Sequence, residues 1–168
     1  MDHVAVSPYN PVLRDARVIV YDSTLRDGEQ TPGVAFTPEQ KLTIARMLDE
    51  AHVHQIEAGF PAISESEVRT IKEISAAGLD ADILGLSRVT KGDVDAAVDA
   101  GVDLILLFVG TSEIHLKYKM KKTREEVLAM TAEALDHCKA RGVPASVSAE
   151  DTTRTDPESL DRLVEQAL

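Results

Sequence analysis

The sequence predicts an α/β protein of the TIM (β/α)8-barrel type, with about the first five βα units present in the chain. Three observations lead there. Short β-rich apolar runs alternate with longer helical patterns; the helical segments carry start and stop signals; and the first strand-to-helix turn holds charge where a dinucleotide-binding fold would hold a Gly-x-Gly-x-x-Gly cradle. The alternative parallel architecture, an open doubly wound sheet, loses its phosphate-binding glycines at that turn, which reads Asp22-Ser-Thr-Leu-Arg-Asp-Gly-Glu-Gln30.

In chain order, residues 1–17 read as an N-terminal arm, because Pro8 and Pro11 interrupt any helix. Strands are expected over Val18–Tyr21, Gln55–Phe60, Asp82–Leu86, Leu104–Val109 and Ala145–Ser148. Helices are expected over Pro38–Ala51, Glu65–Ala77, Lys91–Ala100, Arg124–Arg141 and Pro157–Leu168. Thr37-Pro-Glu-Gln40, Ser64-Glu-Ser-Glu67 and Thr123-Arg-Glu-Glu126 each set a hydroxyl at the N-cap and a carboxylate or amide three residues on, the pattern of a capping box. Asp156-Pro157 supplies a further N-cap. Gly78, Gly101 and Gly142 fall where helices end in a left-handed residue.

Composition narrows the function classes. Lys plus Arg is 18 against 29 Asp plus Glu, a formal charge of −11, which argues against a broad nucleic-acid or acidic-membrane footprint. With 4% aromatics and no Trp, base-stacking platforms have little material. No stretch approaches the ~18 consecutive apolar residues of a membrane span, and Met1-Asp2-His3 does not open a secretory signal, so a cytoplasmic protein is expected. Cys138 stands alone, which excludes an intrachain disulfide or a multi-cysteine metal site.

Chemistry gathers in the first loop. Asp22, Arg26, Asp27 and Glu29 follow the apolar run Val18-Ile-Val-Tyr21, on the strand end where barrel enzymes keep their active sites. A carboxylate beside a guanidinium can hold a hard cation and polarise a carbonyl oxygen; the same charges also suit a solvated, ion-paired loop.

This segment, with Ile56-Glu-Ala-Gly-Phe-Pro61, Phe108-Val-Gly-Thr-Ser112 and Ser148-Ala-Glu-Asp-Thr-Thr-Arg154, resembles the DRE-TIM metallolyase superfamily. The likeness is to its Claisen-condensing branch, the 2-isopropylmalate, homocitrate and citramalate synthases. It implies a TIM barrel that joins acetyl-CoA to a 2-oxo acid with a divalent metal (Mg, Mn or Zn) and then hydrolyses the thioester. On that resemblance Asp27 is a metal ligand and Arg26 a catalytic and substrate-binding cation, since its planar fork can serve two oxygens as negative charge develops. Glu57 and Glu150 are the further catalytic candidates. Glu57 either faces the substrate or pairs with Arg26. Ser148 and Glu150, two apart on a strand, share one face and are expected to line the 2-oxo acid pocket. Gln30 orders substrate or merely leads into the helix, and Thr111 and Ser112 either touch substrate or cap a helix.

Other polar groups read differently. His52-Val-His54 resembles the family's His-x-His metal pair in type, but it precedes the second strand and so belongs to the opposite face. His115-Leu-Lys-Tyr-Lys-Met-Lys-Lys122 is the one basic run, suited to coenzyme A phosphates or to solvent. Cys138 falls in register with the apolar face of its helix. Leu106 and Leu107 stand where the family often carries a histidine, which leaves isopropylmalate-, homocitrate- and other acceptors open. A related lyase of the hydroxymethylglutaryl-CoA type, and a catalytically silent subunit, are the competing functions.

Length qualifies the whole reading. A barrel takes ~250 residues, and this chain has 168. Completion by a homodimer or a complementing chain is therefore expected, because an open arc of strands would expose two edges.

Overall fold

The computed structural model describes residues 18–168. The expected arm over residues 1–17 lies outside them. The sheet has five strands in the order β1-β2-β3-β4-β5: β1 (Tyr21–Asp22), β2 (Gln55–Gly59), β3 (Asp82–Arg88), β4 (Leu104–Gly110) and β5 (Ala145–Glu150). Every neighbouring pair is parallel and the strands lie in chain order, the arrangement of a barrel wall. Between the strands run α1 (Pro38–Glu50), α2 (Glu65–Ser75), α3 (Lys91–Asp99) and α4 (Arg124–Arg141), and α5 (Pro157–Ala167) follows β5.

Strand alternation divides the residues between two layers. Ile56, Ala58, Ile83, Ile105, Leu107 and Val109 meet Ile71, Ile74, Val94, Ala97, Ala134 and Cys138 of the helices in one core. Their alternates, among them Glu57, Leu84, Leu86, Phe108, Ser148 and Glu150, face the other way, into the arc. Cys138 packs as expected: it is buried, and burial pushes its thiol pKa up.

The expected first strand is shorter than the apolar run. Only Tyr21 and Asp22 pair in register, with Gln55 and Ile56, although the Val20 carbonyl already accepts from His54 N (3.0 Å) and Gln55 N (3.1 Å). Val18, Ile19 and Val20 remain 46%, 54% and 47% exposed. A fully buried aliphatic side chain contributes ~1.5–3 kcal/mol. These three forgo most of that, because β1 has one neighbour and nothing among the described residues covers its outer side.

The capping signals hold with one instructive exception. Thr37 and Thr123 form complete capping boxes with Gln40 and Glu126. Ser64 accepts from Glu67 N at 3.1 Å, but the Glu67 carboxylate turns to Lys41 rather than back to the cap. Gly142, at φ 75°, ends α4 in the left-handed region. The basic run forms a π-helical turn over His115–Met120. Its start is fixed by the Ser112 hydroxyl, which accepts from His115 N at 3.2 Å, and by buried Leu116. No helix of the described residues is long and apolar enough to cross a membrane.

Candidate active site

The loop after β1 is a tight turn built by its own backbone. The Ser23 carbonyl accepts from the amides of Arg26 (3.2 Å), Asp27 (2.8 Å) and Gly28 (3.1 Å), while Leu25, fully buried, pins the turn to the core. That turn carries Arg26 across the C-terminal end of β2. There its Nη2 lies 2.8 Å from Glu57 Oε2, and Nη1 lies 2.7 Å from Asp27 Oδ1. Of the two readings of Glu57, the pairing with Arg26 is the one the geometry displays.

Glu57 is completely buried, yet neither of its carboxylate oxygens has an aligned hydrogen bond, and Arg26 Nε is likewise unpartnered. The attraction is ionic and leaves acceptor and donor positions open. Burial opposes the Arg26 charge, but Glu57 and Asp27 outweigh it and hold the guanidinium pKa above its usual value. Burial, reinforced by the Glu57 carboxylate, pushes the neighbouring Tyr21 phenol up. Tyr21 is thus a fourth member of the cluster, one that the sequence did not reveal; its only signal was its place at the end of the first apolar run.

A second cluster sits at the ends of β4 and β5. The Glu150 carboxylate pairs with Lys119 and lies 4.0 Å from His115 Nδ1. Ser148 is exposed on the same face of β5. Thr111 is nearly buried, and its hydroxyl is engaged with the Glu150 carbonyl (3.3 Å) and the Thr155 hydroxyl (2.7 Å), so it secures the β4–β5 junction. Asp151, left-handed at φ 66°, ties the Ser112 hydroxyl to Arg154 at 2.7 Å. Hydrogen bonds from Arg154 and Ser112 hold its carboxyl below the usual range. The 150–154 stretch showed the i,i+3 spacing of that pair but not its partner Ser112, two residues past the end of β4. Gln30, at the end of a 3₁₀ turn over Gly28–Gln30, is exposed.

Between the clusters Phe60 and Phe108 meet edge to face, their centroids 5.8 Å apart. Arg88 stands 5.7 Å from the Phe60 ring and Lys119 5.8 Å from the Phe108 ring. The rim therefore carries an apolar patch with cations above it, a surface that suits an anionic group joined to a short carbon chain.

Asp27 is the one expected metal ligand on this rim. Its side chain is 63% exposed with one oxygen beside Arg26, and no cluster of three His, Cys, Asp or Glu able to hold an ion exists among the described residues. They do not by themselves make a metal site. His52 and His54 do not fill the gap: they lie with Asp49 and Asp82 around a concavity of about 380 Å³ at the start of β2 and β3, the opposite end. There His54 Nδ1 accepts from Val20 N (3.1 Å), a structural role.

The HMGL-like family model matches residues 17–168. The chain belongs to the HMGL-like family. It is 56% identical to homocitrate synthase AksA of Methanopyrus kandleri over 94% of this chain and 42% of that protein. It is 52% identical to a probable 2-isopropylmalate synthase of the same organism, over 86% of this chain and 29% of that one. These relatives, with a putative (R)-citramalate synthase at 49% identity, place it in the Claisen-condensing branch. The chain spans less than half the length of each. Among solved structures, the Bacillus subtilis HMG-CoA lyase superposes with a TM-score of 0.74 at 18% identity, covering 89% of this chain and 54% of that one. The Pseudomonas aeruginosa hydroxymethylglutaryl-CoA lyase gives 0.69 at 18% identity, over 89% and 53%. At that identity the likeness speaks for the fold, a partial TIM barrel.

Proposed function

We propose that residues 18–168 form the N-terminal portion of a TIM-barrel domain that condenses acetyl-CoA with a 2-oxo acid and then hydrolyses the thioester. The observation that carries this reading is the buried Glu57 holding Arg26 at the barrel rim, with Arg26 Nε unpartnered. In the reaction the acetyl methyl group gives up a proton to a base, its carbon adds to the ketone carbon of the 2-oxo acid, and the ketone oxygen gains negative charge. Arg26 opposes that charge, and Glu57 keeps the guanidinium aimed before substrate arrives. On the far side of the rim Ser148 and Glu150 would border the 2-oxo acid and the Phe60–Phe108 patch its carbon chain. Asp27 would contribute one ligand to a divalent ion, Mg, Mn or Zn, whose other ligands lie outside the described residues. A homodimer or a complementing chain would close the arc.

The test follows free thiol released from acetyl-CoA over a panel of 2-oxo acids with each of the three metals, beside calorimetric titration of the same acids into the chain. Thiol release, or acid binding lost in Arg26→Lys, is the expected result. Cleavage of a hydroxyacyl-CoA with no thiol release on any acid would replace the synthase by a lyase. Binding indifferent to Arg26→Lys would remove this cluster from the active site.

A further inference from the structure

We infer that Lys41, remote from the reacting atoms, is a positioning residue that clamps the Arg26–Asp27 loop to the end of β2. The inference deepens the proposed function and rests on it for its meaning, but its structural content is independent. Lys41 lies on α1, and its side chain is 3% exposed. Its Nζ is 2.7 Å from Glu29 Oε2 and 2.9 Å from Glu67 Oε1. Those two carboxylates come from different places: Glu29 from the loop that carries Arg26 and Asp27, Glu67 from the first turn of α2.

Each carboxylate has a second contact, Glu29 through its other oxygen and Glu67 through the same oxygen that meets Lys41. Glu29 Oε1 accepts from Phe36 N at 3.1 Å, which closes the loop on itself. Glu67 lies against the backbone of Gly59, two residues after Glu57; a Cβ on Gly59 would stand 2.0 Å from Glu67 Oε1. Gly59 also sits where the β2–β3 register shifts, so the strand end bends under the carboxylate. A chain of contacts therefore runs from the Arg26 loop through Glu29, Lys41 and Glu67 to the strand that holds Glu57.

Sequence and local preference show that this arrangement costs something. Glu67 occupies the position from which a capping box would return to Ser64, as Gln40 and Glu126 do at the equivalent places. It gives up that bond for Lys41. Burial works against a charged lysine, yet the two carboxylates hold the ammonium pKa above its usual value. A buried cation with two anions on separate elements is an expensive way to fill space and an effective way to fix geometry. Among the described residues Arg26 has only Asp27 and Glu57 as charged partners, so a loop free to swing would leave Glu57 buried without that cation.

The test uses the whole chain. The Arg26 Nε–H resonance, assigned by its loss in Arg26→Lys, reports whether the guanidinium still sits over Glu57. Lys41→Met removes the clamp, Glu29→Gln keeps the acceptor for Phe36 N while removing the loop's charge, and Val94→Ala weakens the core of α3 as a control. The resonance should shift toward that of a solvent-exposed arginine in Lys41→Met, shift the same way by less in Glu29→Gln, and stay in place in Val94→Ala. Titrated with 2-oxoglutarate, Lys41→Met should bind about tenfold more weakly, the loss expected when a charged group is no longer held for its ligand. An unmoved Arg26 resonance in Lys41→Met overturns the inference; if that variant fails to fold, an unmoved resonance in Glu29→Gln does so. If the wild-type chain binds no 2-oxo acid, the proposed function fails while the resonance still decides the role of Lys41.

Discussion

The two ends of the rim use the same chemistry under opposite conditions. At the β1–β2 end a carboxylate, Glu57, is fully buried beneath its cation, while at the β4–β5 end the Glu150 side chain is 39% exposed beside Lys119. The difference follows from sheet position. β2 has strands on both sides and helix α2 behind it, whereas β5 is an edge strand among the described residues. A buried ion pair is fixed by the cost of separating it, and an exposed pair is held by little more than screened attraction. One end of the rim is thus preorganised by residues of this chain, and the other is held only by an exposed pair.

The largest expected effect breaks the buried pair. Arg26→Ala strands Glu57 without a counter-charge and should cost about 3 kcal/mol in urea denaturation, the low end for a buried pair because Arg26 itself reaches solvent. A loss no greater than that of an exposed pair would dissolve the contrast between the two ends.

Next comes alkaline stability. The Tyr21 phenol is pushed up in the folded protein, so the neutral phenol is favoured there, and its stabilising contribution is present below the unfolded pKa of ~10 and lost as pH rises beyond it. Tyr21→Phe should flatten the fall in melting temperature above that pH; an unchanged slope would detach Tyr21 from Glu57.

A third case lies midway along the sheet. Burial alone would raise the Asp93 carboxyl, but Arg88, at 2.6 Å, and Thr90 hold it below the usual range. Its folded pKa is depressed, so its contribution is present above the unfolded value of ~3.9 and lost as pH falls through the folded one. Asp93→Asn should reduce acid sensitivity below about pH 4, measured as melting temperature against pH.

The smallest effect belongs to the open end. Lys119→Ala should change stability by less than about 1 kcal/mol, as for other exposed pairs. A larger loss would show that Glu150 is already as organised as Glu57.

Much of this was legible in residue order. The five helices start at the residues expected, four of them behind an N-cap read from the sequence, because capping is decided by neighbours three or four positions apart. Asp27 beside Arg26, Glu57 after an apolar strand residue and Ser148 two before Glu150 were all visible as local patterns. Three features were not. Tyr21 reads as an ordinary strand aromatic until β2 is laid beside it. Ser112 and Asp151 are 39 residues apart, and no spacing rule joins them. Lys41 looks like the solvent-facing member of an amphipathic helix, and only the approach of Glu29 and Glu67 from separate elements makes it a buried cation.

By itself the sequence determined the alternation of strands and helices, the parallel sheet and the family, because these rest on hydrophobic period, capping chemistry and short motifs carried within one element. The tertiary structure alone decided which charges meet. An ion pair's strength depends on how much water is excluded around it, and that exclusion is set by elements that are distant in the chain and adjacent only once folded.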